Sequence, residues 1–108
     1  MKLEGQFIFL SMRIIARKKI IDYYNCHPET KLSLERWYYL TKLSNWNNLP
    51  DIKKTFNNVD YVGNERYVFN IKGNSHRLVA IILFVPQLVY IRFIGTHKEY
   101  DKINCLNI

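Results

Sequence analysis

Two apolar runs, residues 78–85 and 88–94, dominate the last third of the chain. Pro86 lies between them and favours a turn, because proline lacks a backbone donor and has a fixed φ. The first run is apolar at odd and even positions alike, which is typical of a central strand. A further strand, residues 67–71, is followed by the hairpin signal Gly73-Asn74. The pattern therefore predicts a three-stranded antiparallel meander.

Helical spacing replaces this pattern in the first half of the chain. On the second of the predicted helices, Leu34, Trp37, Tyr38 and Thr41 fall on one face. The predicted elements are a short strand over residues 12–15, helices over 17–26, 31–43 and 50–54, and a last helix beginning near residue 96. The fold class that follows is α+β, a mostly antiparallel sheet with N-terminal helices packed on one face and a short C-terminal helix.

The register of the predicted hairpin brings polar residues together at its open end. Centring the pairs on Pro86 sets Arg77 opposite Gly95 and Ser75 opposite His97. Pairing about Gly73-Asn74 sets Asn70 opposite Arg77, so that a row crosses three strands and Gly95 leaves room for a substrate. A slip of one residue would turn Arg77 to the other face of the sheet.

The segment after the second apolar run reads as the start of a helix. Thr96 and Glu99 match a capping box, which makes Glu99 a cap rather than a catalytic acid. His97, Tyr100 and Asp101 then share one helical face, although Lys98 and Lys102 are alternative surface partners for Asp101. The N–H groups of the helix N-terminus favour a phosphate at the same point.

Length and charge narrow the classes of function. The chain has 108 residues, enough for one domain, and its 16 basic against 9 acidic residues give a net charge of +7. Such a charge favours a polyanionic partner, nucleic acid or a membrane surface, unless it is simply a solvated basic surface. No apolar run approaches the roughly 20 residues of a membrane span. Residues 12–108 are expected to form the domain, with residues 1–11 an extension from an upstream start.

Cysteine and histidine usage predicts no metal site. Cys26 and Cys105 lack zinc-site spacing and read as free thiols in a reducing cytoplasm. His27 and His76 lack a functional constellation and are expected to be structural. Trp37 and Trp46 are expected in the core rather than as base-stacking platforms.

The residues gathered at the hairpin end suit cleavage of RNA by its own 2′-hydroxyl. That reaction needs a base, an acid and a cation for the charge that builds on phosphorus. His97 suits proton transfer because imidazole titrates near neutrality, and Arg77 suits the charge because guanidinium grips two phosphate oxygens. Tyr100 is the candidate for orienting the substrate, and no metal or other cofactor is required. Candidate RNA contacts are Lys72, Asn74, Arg92 and Lys98.

Each of these residues also has an ordinary structural explanation. His97 at a helix start and Tyr100 beneath the helix are both compatible with packing alone, and the lysines and Arg92 are compatible with a solvated basic rim. Sequence alone leaves both interpretations open.

Several phrases of the chain resemble the HigB family of type II toxins. They are Arg36-Trp37-Tyr38, Tyr67-Val68-Phe69-Asn70-Ile71, Gly73-Asn74, Arg77-Leu78-Val79 and the run Tyr90-Ile91-Arg92-Phe93-Ile94-Gly95-Thr96-His97-Lys98-Glu99-Tyr100-Asp101. The resemblance implies a RelE-like toxin fold and metal-independent cleavage of mRNA, commonly on the ribosome. It also implies a HigA-type helix-turn-helix antitoxin as partner. By the same resemblance, Arg77, His97 and Tyr100 are the catalytic residues.

The leading hypothesis is a cytoplasmic mRNA endonuclease toxin, an mRNA interferase. One alternative is a basic protein that binds RNA or the ribosome and blocks translation without cutting. Another is a degenerate toxin that survives only as the partner of an antitoxin.

Overall fold

The structure is a computed structural model that describes residues 12–108. The extension predicted over residues 1–11 lies outside the described residues. The first strand, β1 (Arg13–Ile15), and the first helix, α1 (Arg17–Cys26), confirm the two N-terminal elements. The helix ends before His27 and Pro28, where the sequence predicted a stop. A single 3₁₀ turn, Pro28–Thr30, then leads into the second helix.

The next two helices also form within two residues of their predicted bounds. They are α2 (Lys31–Lys42) and α3 (Leu49–Thr55). The N-cap of α3 is Asn48, whose side-chain oxygen accepts the Asp51 N–H at 3.0 Å. Pro50 fits the first turn because no intrahelical donor is needed there.

Five strands form one mixed sheet in the order β1-β5-β4-β3-β2. The remaining strands are β2 (Val59–Gly63), β3 (Arg66–Ile71), β4 (His76–Leu83) and β5 (Leu88–Thr96). The central position of β4 confirms the interpretation of its apolar run. Strands β2 to β5 pair antiparallel, whereas β1 pairs parallel with β5.

The prediction of a three-stranded meander was wrong by one strand, since β2 precedes it. Asp60 and Tyr61 are exposed, and Val59 is the only fully buried residue of β2. An edge strand buries little of its surface, so it carries no apolar run that a pattern search would detect.

The register at the open end of the hairpin is the predicted one, but it arises differently. Near the turn, Leu83 pairs with Leu88, one position away from the register centred on Pro86. An extra residue in β5, Arg92, forms a β-bulge. The bulge removes the one-residue offset, so that Arg77 pairs with Gly95 as predicted. The bulge thus decides which face of the sheet Arg77 occupies.

A single core lies between the helices and one face of the sheet. Trp37 and Trp46 are each only 2% exposed and stack with Phe56 and Phe69, which confirms their assignment to the core. Alternate residues of β4 enter the core, while Arg77 and Val79 point to the opposite face. Core members from the helices and β4 are Ile20, Leu34, Trp37, Ile52, Leu78, Ala80 and Ile82.

The C-terminal segment returns across the face of the sheet that carries Arg77. It contains the one-turn helix α4 (His97–Tyr100) and the 3₁₀ turn Cys105–Asn107. Asn64, just after β2, donates its side-chain N–H to the carbonyl of Leu106 at 3.1 Å. Cys26 and Cys105 are free thiols, as predicted. Among residues 12–108, no helix has both the length and the apolar character needed to cross a bilayer.

Candidate active site

Arg77 is the fixed point of the site. The residue is 9% exposed and lies in the predicted row between Asn70 and Gly95. Its Nη1 donates to the carbonyls of Asn74 and His76 at 3.0 and 3.2 Å, and its Nη2 donates to Asn74 Oδ1 at 3.0 Å. Three of the five guanidinium N–H groups are therefore used to orient the side chain. The other two are free of these contacts and available to a phosphate.

Tyr100 lies against the guanidinium of Arg77. The Arg77 Cζ is 5.9 Å from the centroid of the Tyr100 ring, within the range of a cation–π contact. Burial and the neighbouring Cys105 thiol raise the pKa of Tyr100 to about 12, although the charge of Arg77 opposes the shift. The phenol therefore keeps its proton at neutral pH and can donate a hydrogen bond.

His97 is placed at the same end of the sheet by the backbone. Its N–H donates to the carbonyl of Ser75 at 3.0 Å, in agreement with the predicted opposition of these two residues. The imidazole side chain is 45% exposed, and its Nδ1 lies 3.2 Å from Asp101 Oδ2. Asp101 thus pairs with His97 rather than with either of the two lysines considered for it. The second ring nitrogen of His97 remains for proton transfer.

The predicted capping box is present, and it changes the expected anion site. The Glu99 side chain accepts the Thr96 N–H at 2.8 Å, and Thr96 Oγ1 accepts the Glu99 N–H at 3.2 Å. These bonds lower the pKa of Glu99, chiefly through the backbone N–H of Thr96. With the His97 N–H bound to Ser75, three backbone N–H groups at this helix start already have partners within the protein. Charge at the site therefore comes from side chains rather than from the helix N-terminus.

Gly95 does not leave open space for a substrate, as the sequence had suggested. A Cβ at this position would clash with the Phe93 ring and lie 2.9 Å from the Glu99 carboxylate. Side chains of its own neighbours fill the volume, because Phe93 shares the face of the strand and Glu99 reaches back to cap α4. The glycine is required here for close packing.

The four candidate RNA contacts do not form one cluster. Lys72 and Lys98 are exposed beside the site, on the β3–β4 loop and on α4. Arg92 is also exposed, but it sits at the bulge of β5, with its Cζ 5.1 Å from the Tyr90 ring. Asn74 is occupied by its two hydrogen bonds to Arg77.

A second group of titratable side chains lies on the helix side of the sheet. His76 is 4% exposed; its Nδ1 hydrogen-bonds to the Tyr23 hydroxyl at 2.8 Å and its Nε2 lies 3.4 Å from Glu29. The His27 ring stacks on Tyr23 at 4.2 Å and meets His76 edge-on. Burial lowers the pKa of His76 and is the main cause that raises the pKa of Tyr23 to about 12. This packing agrees with the structural role expected for both histidines.

Sequence reasoning missed two partners in this region. Cys105 lies close to Tyr100 because the C-terminal segment folds back. No local sequence pattern predicts that contact. Tyr23 and His76 are 53 positions apart, and only the packing of α1 on the sheet joins them. The His97 and Asp101 pair, in contrast, has the i, i+4 spacing that the sequence already displays.

Comparisons with known proteins identify the family of the chain. A model of the HigB toxins, described as the RelE-like toxic component of a toxin-antitoxin system, matches residues 30–103, a range that includes Arg77, His97 and Tyr100. The mRNA interferase toxin HigB of Escherichia coli strain K12 is 33% identical over 93 residues, which cover 83% of this chain and 88% of that protein. The chain belongs to the HigB toxin family.

Other relatives carry the same description. An mRNA interferase HigB of Escherichia coli O6:H1 is 29% identical over 94 residues, covering 85% of this chain and 91% of that protein. Membership confirms the resemblance drawn from the sequence phrases. A HigB toxin is one component of a toxin-antitoxin system, so membership of the family implies an antitoxin as partner.

Proposed function

We propose that this HigB family member is an endoribonuclease that cleaves mRNA and so inhibits translation. The observation that carries the proposal is a buried arginine, Arg77, whose guanidinium is held by hydrogen bonds and lies over the Tyr100 ring. It lies at the end of the sheet where His97 has a free imidazole nitrogen. The relatives named as mRNA interferases support the same activity.

The proposed chemistry is attack of the RNA 2′-hydroxyl on the adjacent phosphorus. His97 takes the proton from this hydroxyl or gives one to the departing 5′-oxygen, and such a transfer contributes about 10²- to 10⁴-fold. The free N–H groups of Arg77 stabilise the charge on the phosphorane. Tyr100, protonated at neutral pH, donates a hydrogen bond that orients the substrate. The products are a cyclic phosphate and a new 5′-hydroxyl end.

The basic residues around the site suit a polyanionic substrate. Lys72 and Lys98 flank Arg77 and His97, and Arg92 extends the positive surface along β5. We assign them to phosphate contacts, which position a nucleic acid without reading its sequence. The net charge of +7 acts in the same direction.

The remaining parts of the proposal follow from the family. Residues 12–108 form a single toxin domain with the RelE-like fold. The α+β architecture with a five-stranded mixed sheet supports this assignment. The protein acts in the cytoplasm on mRNA held by the ribosome, and its antitoxin is a HigA-type helix-turn-helix protein.

The test is induction of the chain in bacteria without an antitoxin, followed by mapping of RNA 5′ ends. Wild type should arrest growth and create new 5′-hydroxyl ends. Arg77→Ala and His97→Ala should lose both effects at equal protein level, because each removes a group that acts in the transition state. Arg13→Ala, which removes an exposed charge from β1 at the far edge of the sheet, is the matched control and should retain both.

Two results would contradict the proposal. Unchanged arrest in both site variants would refute the assignment of Arg77 and His97. Arrest without new 5′ ends would favour a protein that blocks translation by binding alone.

A further inference from the structure

The loop between β3 and β4, residues 72–75, contacts two of the proposed catalytic residues. It contacts the side chain of Arg77 and the backbone of His97. Its Asn74 accepts two hydrogen bonds from Arg77, and its Ser75 carbonyl accepts the backbone N–H of His97 at 3.0 Å. A single four-residue segment therefore sets the position of the Arg77 guanidinium relative to the backbone of His97.

The loop has the internal bonds needed to hold this shape. Lys72 and Gly73 both have left-handed backbone, with φ of 51° and 62°. Ser75 returns its side-chain hydroxyl to the carbonyl of Lys72 at 2.8 Å. This bond and that of the Ser75 N–H to the same carbonyl, at 3.4 Å, close the loop, in which the Asn74 amide oxygen and carbonyl both face the guanidinium.

We propose that Asn74 is a positioning residue for Arg77 rather than the RNA contact that the sequence analysis considered. The inference rests on the proposed function, since it deepens the role of Arg77 in cleavage. Asn74 presents two oxygens, one from the side chain and one from the backbone, to two different guanidinium nitrogens, each at 3.0 Å. This two-point grip fixes the guanidinium plane and aims the remaining N–H groups at the reacting phosphate.

Removal of the amide should therefore reduce the rate and spare binding. In Asn74→Ala the two backbone contacts of Nη1 remain, but Nη2 loses its hydrogen bond to the Asn74 side chain and the guanidinium plane is less restrained. For single-turnover cleavage of a defined mRNA on purified ribosomes, we expect the rate constant at saturation to fall roughly 10- to 100-fold, the range for a hydrogen bond to a charged group. The half-saturating protein concentration should change by less than about twofold, because uniform binding is untouched.

A spectroscopic measurement tests the grip without any RNA. Hindered rotation of a held guanidinium gives resolved Nη–H signals for Arg77 in ¹⁵N-labelled protein, and these should merge in Asn74→Ala. Asn74→Asp keeps an acceptor oxygen in place and should keep the signals resolved. Asn47→Ala removes an exposed side-chain amide from the loop before α3, away from Arg77, and should leave both signals and cleavage rate unchanged.

Several results would overturn the inference. A raised half-saturating concentration with an unchanged rate constant would make Asn74 an RNA contact. Unchanged Nη–H signals in Asn74→Ala would show that the residue does not hold Arg77. If wild type itself failed to cleave, the proposed function would fall, while the signals would still report whether Asn74 fixes the guanidinium.

Discussion

His76 and His97 come from the same end of the sheet and occupy opposite environments. His76 begins β4 and turns toward the helices, where Tyr23, His27 and Glu29 surround its ring. His97 follows β5 and leaves nearly half of its side chain in solvent, with Asp101 beside one nitrogen. Both ring nitrogens of the first face protein groups, whereas the second keeps one nitrogen free.

The difference separates a histidine that stabilises from one that can react. A buried imidazole with partners at both nitrogens has no route to a substrate, and burial lowers its pKa. A half-exposed imidazole with one free ring nitrogen has access to a substrate and can transfer a proton. Residue type alone does not distinguish the two histidines, because the difference lies in their partners and exposure.

The largest expected contrast is in catalysis. His97→Gln should lower the single-turnover rate of mRNA cleavage by about 10²-fold or more, because glutamine cannot transfer the proton. The midpoint of thermal unfolding should not move, since the ring is exposed. His76→Gln should retain the rate per folded molecule. Comparable losses of rate in both variants would erase the proposed distinction between the two histidines.

The second contrast is in stability. His76→Leu should lower the free energy of unfolding by about 1–3 kcal/mol, because it leaves the Tyr23 hydroxyl without its buried partner. Tyr23→Phe removes the same hydrogen bond from the other side and should cost about 1 kcal/mol. Urea denaturation measures both. A fully stable His76→Leu variant would mean that the cluster contributes nothing to the fold.

The smallest expected effect is a dependence of stability on pH. The pKa of His76 is lowered from its usual 6.5, so the unfolded chain binds a proton that the folded chain resists. The free energy of unfolding should therefore decrease as pH falls below about 6.5, the unfolded value. The slope should be shallower in His76→Leu, and urea denaturation between about pH 7.5 and 5.5 measures it. Parallel curves for the two proteins would assign the dependence to other groups.

Much of the fold could be predicted from local pattern. Apolar runs with proline between them gave β4 and β5, and proline after a helical repeat gave the end of α1. The two edge strands, β1 and β2, were harder to predict. The sequence of a short strand indicates neither which strand it pairs with nor whether the pairing is parallel. Pairing is a property of the assembled sheet.

The site shows the same division at finer scale. The row of Asn70, Arg77 and Gly95 was predicted correctly, although the register near the turn is offset by one residue. The bulge at Arg92 compensates for that offset. Reading residue numbers outward from Pro86 could not have revealed either change, since a bulge depends on how two strands twist against each other.

By itself the sequence determined which residue types are available and where helices and strands begin, because propensity, capping and apolar period are local. It also carried the family phrases that include Arg77, His97 and Tyr100. The tertiary structure decided which side of the sheet each side chain occupies, that Asn74 grips Arg77, and that Cys105 returns to Tyr100. These contacts join residues through turns, a bulge and a returning segment, whose geometry depends on packing of the whole chain.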